Sequence, residues 1–158
     1  MVGVLFVCLG NICRSPAAEG VFSRMADAAG LQARLRIDSA GTGAWHVGQA
    51  PDARMIAAAR ARGIDLRALR ARQVRVQDFH DFDYLLAMDR DNLRRLHALA
   101  PAGLEGKARL FLSFAAAPAV HEVPDPYYGG PQGFEEVLDL IDAAARGLLA
   151  HLRATQAL

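Results

Sequence analysis

The chain has 158 residues, is 53% hydrophobic and 22% charged, and carries a formal net charge of +1. This length and composition predict one globular domain, residues 1–158, with a sizeable hydrophobic core. The near-zero net charge argues against binding to nucleic acid or to an acidic membrane surface.

The N-terminal segment MVGVLFVCLGN has no basic residues ahead of its apolar run, and the run is too short to span a membrane. We therefore expect no signal peptide, no membrane association and a cytoplasmic location, with export by a signal-less route left open. The two cysteines and five scattered histidines lack zinc-ligand spacing. Neither a disulfide framework nor a metal site is expected from them.

Apolar runs alternate with amphipathic segments along the chain. VGVLFV at residues 2–7 predicts a buried parallel strand, and the spacing of apolar residues after Pro16 predicts a helix that ends near Gly30. The remaining predicted elements are a strand at 34–41, a helix at 51–63, a strand at 81–89, a helix at 90–100, a strand at 107–114 and a final helix with an apolar stripe from Phe134 to Leu152. This alternation is typical of a three-layer α/β/α fold around a parallel sheet.

Two segments stand out as candidate functional loops. CLGNICR follows the first predicted strand, and ligands of parallel sheets bind beyond the carboxyl ends of the strands. Residues 115–133 are rich in proline and glycine, which predicts a long surface loop, and loops of that length are often functional.

Residues 8–15, CLGNICRS, have the composition of an anion-binding loop. Backbone N–H groups of such a loop, followed by a helix N-terminus, form a concavity for phosphate, and Gly10 and Asn11 tolerate the left-handed backbone that it needs. Arg14 offers a planar fork for two phosphate oxygens. The same dipoles and Arg14 favour the thiolate form of Cys8, to which the Ser15 hydroxyl can donate. The loop therefore predicts an activated sulfur nucleophile beneath a phosphate site.

Transfer of a phosphoryl group to sulfur leaves an oxygen that needs a proton, and a carboxylic acid on a mobile loop can supply it. Asp125 in PDPYYGG is one candidate, and Tyr127 and Tyr128 could wall a slot for an aromatic ring. The residues alone give Asp125 no preference over Asp38 or Asp89.

Five segments together resemble the low molecular weight protein tyrosine phosphatases: VLFVCLGNICRSP, DSAGT, ARQV, FDYLLAMDRDNL and DPYYGG. The resemblance runs in order over essentially the whole chain. It implies a four-stranded parallel sheet of order 2-1-3-4 with a phosphate-binding loop after strand 1. It also implies an enzyme without metal or cofactor that acts on phosphotyrosine-containing proteins as a monomer, with a weak dimer left open.

The resemblance further implies a role for each matching residue. Cys8 would be the nucleophile that forms a phosphocysteine, Arg14 would bind the phosphoryl oxygens, and Asp125 would be the general acid and then the general base. The supporting residues would be Asn11 and Ser39, which hold the loop, Ser15, which stabilises the thiolate, Cys13, which captures oxidised Cys8 as a reversible disulfide, and Leu9, Gly10 and Ile12, which complete the loop. Trp45, Tyr127 and Tyr128 would line the aromatic slot.

The chain departs from the family pattern at Leu69, where many members carry a histidine in a hydrogen-bond network behind the loop. That network must be arranged differently here.

Three alternatives remain beside a tyrosine phosphatase. Arsenate reductases of this fold use further cysteines, and protein-arginine phosphatases carry Thr where this loop has Ile12. A silent phosphate-binding module needs neither the sulfur of Cys8 nor the carboxyl group of Asp125.

Overall fold

A four-stranded parallel sheet of order β2-β1-β3-β4 forms the centre of the computed structural model, which describes residues 1–116, 120–127, 129–156 and 158. The strands are β1 (Val2–Cys8), β2 (Leu35–Gly41), β3 (Tyr84–Ala87) and β4 (Ala108–Leu110). The α-helices are α1 (Arg14–Ala28), α2 (Ala53–Ala61), α3 (Asp78–Asp81), α4 (Arg90–Leu99) and α5 (Pro131–Thr155). The predicted fold class and strand order are confirmed.

Helices cover both faces of the sheet, and alternate residues of β1 point to opposite faces. Val4 and Phe6 belong to the apolar cluster formed with α1 and α5, whereas Leu5 and Val7 belong to the cluster formed with α3 and α4. Every residue of β1 is buried, which explains its continuous apolar sequence. Since β2 and β3 flank β1 on opposite sides, the strand order reverses there and a crevice opens at its carboxyl end.

The carboxyl end of β2 is shaped to admit the loop that follows β1. Gly41 lies opposite Cys8 in the parallel register, and a Cβ atom added to Gly41 would lie 2.8 Å from the carbonyl oxygen of Leu9. A side chain at this position would force the two segments apart. The glycine of DSAGT therefore allows the phosphate loop to pack directly on β2.

The predicted strand at 107–114 is wrong in its second half. Only Ala108–Leu110 is strand, and Phe111–Phe114 forms a 3-10 helix that buries Phe111 and Leu112. A short buried apolar run has the same composition in either conformation, so periodicity does not distinguish them.

The predicted strand at 81–89 begins later, at Tyr84, because the short helix α3 occupies residues 78–81. Asp78 in this helix is fully buried and accepts hydrogen bonds from the Arg72 guanidinium and from the Arg75 N–H. Such tertiary pairing leaves no periodic signal in the sequence. No helix in the described part of the chain is both long enough and apolar enough to cross a membrane.

Candidate active site

The loop between β1 and α1 curls around the sulfur atom of Cys8. The backbone N–H of Asn11 donates to Cys8 Sγ at 3.2 Å, and Ser15 Oγ lies 3.0 Å from the same sulfur. Cys8 is only 2% exposed and lines a cavity of about 430 Å³. Both groups are placed to hydrogen-bond the sulfur of Cys8, with the loop wrapped around it.

Asn11 holds the loop through its backbone and its side chain. Its φ of 57° lies in the left-handed region, and its Nδ2 donates to Ser15 Oγ at 2.8 Å and to Ser39 Oγ at 2.9 Å. Its Oδ1 accepts from the backbone N–H of Arg72 at 3.0 Å. Ser15 Oγ accepts from Asn11, and its own proton has two acceptors within reach, Cys8 Sγ at 3.0 Å and the carbonyl oxygen of Ala40 at 3.4 Å.

Glu19 closes the hydrogen-bond network behind the loop. Its Oε1 accepts from Ser39 Oγ at 2.7 Å. Burial raises the pKa of Glu19 to about 7 against the opposing effect of the hydrogen bond from Ser39, while the charge of Asp38 adds to the rise and Arg72 opposes it. Leu69, at the departure from the family pattern, is partly buried and packs on the apolar cluster of α1 and α5.

Arg14 is fixed at the cavity by partners that lie far away in the sequence. Its Nη1 donates to Asp89 Oδ2 at 2.7 Å and to the carbonyl oxygen of Val123 at 3.0 Å, and its Nη2 lies 3.7 Å from Asp125 Oδ2. The side chain is 3% exposed, yet it lines the cavity. Asp89 also accepts from the N–H of Asn92 as the N-cap of α4, which fixes the carboxylate that holds Arg14.

Cys13 differs from Cys8 in its surroundings. Burial, helped by the charges of Asp52, Cys8 and Asp125, raises the pKa of Cys13 to about 12. Cys13 is therefore a neutral thiol at neutral pH, and a neutral thiol is a poor nucleophile. Both cysteines are reduced and buried in the structure, so the disulfide between them stays a prediction.

The cavity brings most of the sequence-predicted residues together. Its lining consists of Cys8, Leu9, Gly10, Ile12, Cys13, Arg14, Trp45, His46, Asp125 and Tyr127. Trp45 is 69% exposed. Asn11, Ser15 and Ser39 form the network described above, and Tyr128 lies outside the described residues.

The structure separates the three carboxylates that the sequence left equivalent. Asp38 pairs with Arg72, and Asp89 is used to hold Arg14. Asp125 alone of the three lines the cavity, where its side chain is 39% exposed. Across the described ranges, no three His, Cys, Asp or Glu side chains are grouped as a metal ion would require.

The family model for low molecular weight phosphotyrosine protein phosphatases matches residues 3–158. The chain belongs to this family. Among named relatives, the low molecular weight phosphotyrosine protein phosphatase of Schizosaccharomyces pombe is 48% identical over 143 residues, 89% of this chain and 91% of the relative. The low molecular weight protein-tyrosine-phosphatase YfkJ of Bacillus subtilis is 42% identical over 97% of both chains.

Solved structures agree with the sequence comparison. The protein tyrosine phosphatase of Entamoeba histolytica, crystallised with Hepes in its active site, superposes with a TM-score of 0.95 at 40% identity and 99% coverage of both chains. With relatives so named over nearly their full length, this chain is a protein tyrosine phosphatase.

Sequence reasoning missed several residues around the cavity of this phosphatase. The sequence presents Asp89 only as a candidate general acid, whereas in the structure its carboxylate holds Arg14. His46 lines the cavity, and its ring Nδ1 lies 2.9 Å from Gln49 Oε1. A histidine that follows Trp45 with no second histidine at ligand spacing carries no spacing signal, so nothing in the sequence marked it.

Proposed function

We propose that this phosphatase hydrolyses phosphotyrosine in proteins through a phosphocysteine at Cys8, with Arg14 binding the phosphoryl oxygens and Asp125 moving the proton. One observation carries the proposal: Cys8, Arg14 and Asp125 line the same cavity, with Arg14 Nη2 3.7 Å from the Asp125 carboxylate. A thiolate, a bidentate cation and a carboxyl group are the parts that this reaction needs.

In the first step, the thiolate of Cys8 attacks phosphorus and an S–P bond forms. The P–O bond to the tyrosyl oxygen breaks, its electron pair passes to that oxygen, and the protonated carboxyl group of Asp125 donates its proton there. Arg14 and the loop N–H groups stabilise the charge on the non-bridging oxygens. The products are the free tyrosine hydroxyl and phosphocysteine.

In the second step, water attacks the phosphorus of the phosphocysteine. The Asp125 carboxylate, deprotonated by the first step, takes a proton from that water. The S–P bond breaks, its electron pair returns to Cys8, and inorganic phosphate leaves. The hydrogen bonds from Asn11 N–H and Ser15 to the sulfur lower the cost of this leaving thiolate.

The rim of the cavity supports an aromatic phosphoester as substrate. Trp45 and Tyr127 line it beside Ile12, and aromatic and aliphatic surfaces of this kind pack well on a tyrosine ring. The loop backbone and Arg14 bind the phosphate group. The rim side chains Trp45, Tyr127 and Ile12 therefore select the ring of the substrate.

The test is hydrolysis of p-nitrophenyl phosphate in EDTA and fresh reductant by the wild type and by Cys8→Ser. We expect turnover by the wild type and its loss in the variant, while the variant retains binding of a phosphotyrosine peptide. Hydrolysis by Cys8→Ser at the wild-type rate would exclude Cys8 as the nucleophile. A reduced wild type that binds the peptide without any turnover would instead be a phosphate-binding module.

A further inference from the structure

Arg54, in the first turn of α2, connects the two loops that flank the cavity. Its Nε and Nη2 donate to the two carboxylate oxygens of Asp52, at 3.0 and 2.9 Å. Its Nη2 also donates to the carbonyl oxygen of Tyr127 at 2.9 Å. One planar fork thus holds the start of α2 and the loop that carries Asp125 in a fixed relation.

The contacts continue on both sides of Arg54. On one side, the backbone N–H of Asp52 donates to the carbonyl oxygen of Ile12 in the phosphate loop at 2.8 Å. On the other, the backbone N–H of Tyr127 donates to Asp125 Oδ1 at 3.0 Å. Hydrogen bonds joined through the residues Asp52 and Tyr127 therefore connect the phosphate loop, Arg54 and the carboxyl group of Asp125.

Aromatic rings hold the guanidinium of Arg54 in place. Its Cζ lies 5.5 Å from the ring centroid of Tyr127 and 4.8 Å from that of Phe134, which is buried at the start of α5. Such contacts favour a cation over the ring face. The cavity lining in the described chain includes Tyr127 and Asp125 but not Arg54, so the hydrogen bonds of Arg54 reach the cavity through these partners.

We propose that Arg54 is a positioning residue for proton transfer: it holds the carboxyl group of Asp125 within reach of the tyrosyl oxygen above Cys8. This role rests on the proposed function, in which Asp125 is the general acid. A general acid must lie within hydrogen-bond distance of the leaving oxygen, and the half-exposed side chain of Asp125 needs an external support to stay there.

The leaving-group dependence of kcat/KM tests this role, because kcat/KM reports the steps up to P–O cleavage and only poor leaving groups need the proton. The substrates are phenyl phosphate, with a poor leaving group, and p-nitrophenyl phosphate, with a good one. The variants are Arg54→Ala, Arg54→Lys, Asp125→Asn, the double variant Arg54→Ala/Asp125→Asn, and the control Arg60→Ala, which removes an exposed arginine from the same helix.

We expect Arg54→Ala to lower kcat/KM about 10-fold for phenyl phosphate and less than about 2-fold for p-nitrophenyl phosphate. Arg54→Lys should lie between the two, because an ammonium group can reach one acceptor but lacks the fork. Arg60→Ala should leave both values unchanged. In the Asp125→Asn background, Arg54→Ala should cause no further loss, since no proton remains to be positioned.

Partial misfolding cannot imitate this pattern, because an inactive fraction lowers kcat/KM equally for every substrate. An equal loss on both substrates would mean that Arg54 attracts the phosphate dianion and would overturn the proposal. So would a loss in Arg54→Ala that adds fully to that of Asp125→Asn. If Asp125→Asn lowers kcat/KM equally for the two substrates, the general-acid assignment fails, and with it the role of Arg54. If Asp125→Asn lowers kcat/KM more for phenyl phosphate but Arg54→Ala does not, the role of Arg54 alone is overturned.

Discussion

Asn11 has a strained left-handed backbone conformation and a side-chain amide that makes hydrogen bonds across the loop. A left-handed φ costs most residues about 1–2 kcal/mol, and asparagine tolerates it better than alanine. Its amide then connects Ser15, Ser39 and the N–H of Arg72. The same residue therefore sets the curvature of the loop and holds Ser15 Oγ beside the sulfur of Cys8.

The two contributions of Asn11 can be separated by comparing Asn11→Ala with Asn11→Gly. Both variants lose the amide, so both should lose most of their activity. The alanine variant also keeps the backbone strain, so its free energy of unfolding should be about 1 kcal/mol lower than that of the glycine variant. Urea denaturation measures this difference. Equal stabilities would show that the φ of 57° carries no strain.

Glu19 makes the stability of the protein depend on pH in a defined direction. Its pKa is raised to about 7 in the folded protein from an ordinary value of 4.5, chiefly by burial. Between these values the folded chain keeps a proton that the unfolded chain has lost. The contribution of Glu19 is therefore present below about pH 4.5 and is lost as the pH rises through about 7.

Replacing Glu19 by Gln should remove this pH dependence, because the amide oxygen still accepts from Ser39 and carries no charge. Between pH 5 and pH 8, the stability of Glu19→Gln should rise relative to the wild type by about 2–3 kcal/mol. Chemical denaturation at several pH values gives the comparison, with Glu136→Gln on the exposed face of α5 as the matched control. A constant difference between wild type and Glu19→Gln would contradict the assignment.

At the scale of elements, α5 is packed differently at its two ends. A Cβ atom on Gly147 would collide with the carbonyl oxygen of Phe114, in the 3-10 helix that follows β4. A Cβ atom on Gly133, in the first turn, would lie 3.7 Å from the Cβ of Pro126, an ordinary contact. Close backbone packing therefore requires glycine at one position of this helix and not at the other.

Alanine at these two positions should change the stability in opposite directions. Gly147→Ala should lower the free energy of unfolding by about 2 kcal/mol or more, because helix and backbone must move apart. Gly133→Ala should raise it by up to about 0.5–1 kcal/mol through helix propensity. Thermal melting reports both changes. A neutral Gly147→Ala would mean that α5 does not approach Phe114 as closely as described.

The elements that the sequence predicts well are those whose own apolar pattern extends over many residues. The apolar stripe from Phe134 to Leu152 lies within α5, and the buried run at 2–7 lies within β1. The errors fall where tertiary contacts decide a short segment. The carboxylate of Asp78 pairs with Arg72 to fix α3, and the turn at Phe111–Phe114 fills the space beneath α5.

At the scale of the whole molecule, one part of the site can be predicted from sequence and another part depends on tertiary structure. The phosphate loop is contiguous, so residues 8–15 could be identified from the chain alone, and the resemblance placed Asp125. The residues alone did not distinguish Asp125 from Asp38 and Asp89, and the fold adds that Asp125 is the one of the three that lines the cavity. The fold was also needed to identify the carbonyl oxygen of Val123 and the carboxylate of Asp89, which reach Arg14 from distant segments.

The assembled site should bind inorganic phosphate as a unit, and binding to the folded state alone raises the melting temperature. Phosphate at 100 times its dissociation constant should stabilise the wild type by about 2.7 kcal/mol. Arg14→Lys keeps the charge but loses the fork, so its melting temperature should respond less to the same phosphate concentration. An undiminished response in Arg14→Lys would show that Arg14 does not bind the anion.

The phosphocysteine itself tests the central claim most directly. The Asp125→Asn variant lacks the base for the second step, so it should accumulate the intermediate when mixed with p-nitrophenyl phosphate and quenched in acid. Mass spectrometry of the digested protein should find one phosphoryl group on the peptide that contains Cys8. The double variant Cys8→Ser/Asp125→Asn should carry none. A phosphoryl group on another residue, or release of nitrophenol with no phosphorylated enzyme at any time, would contradict the mechanism.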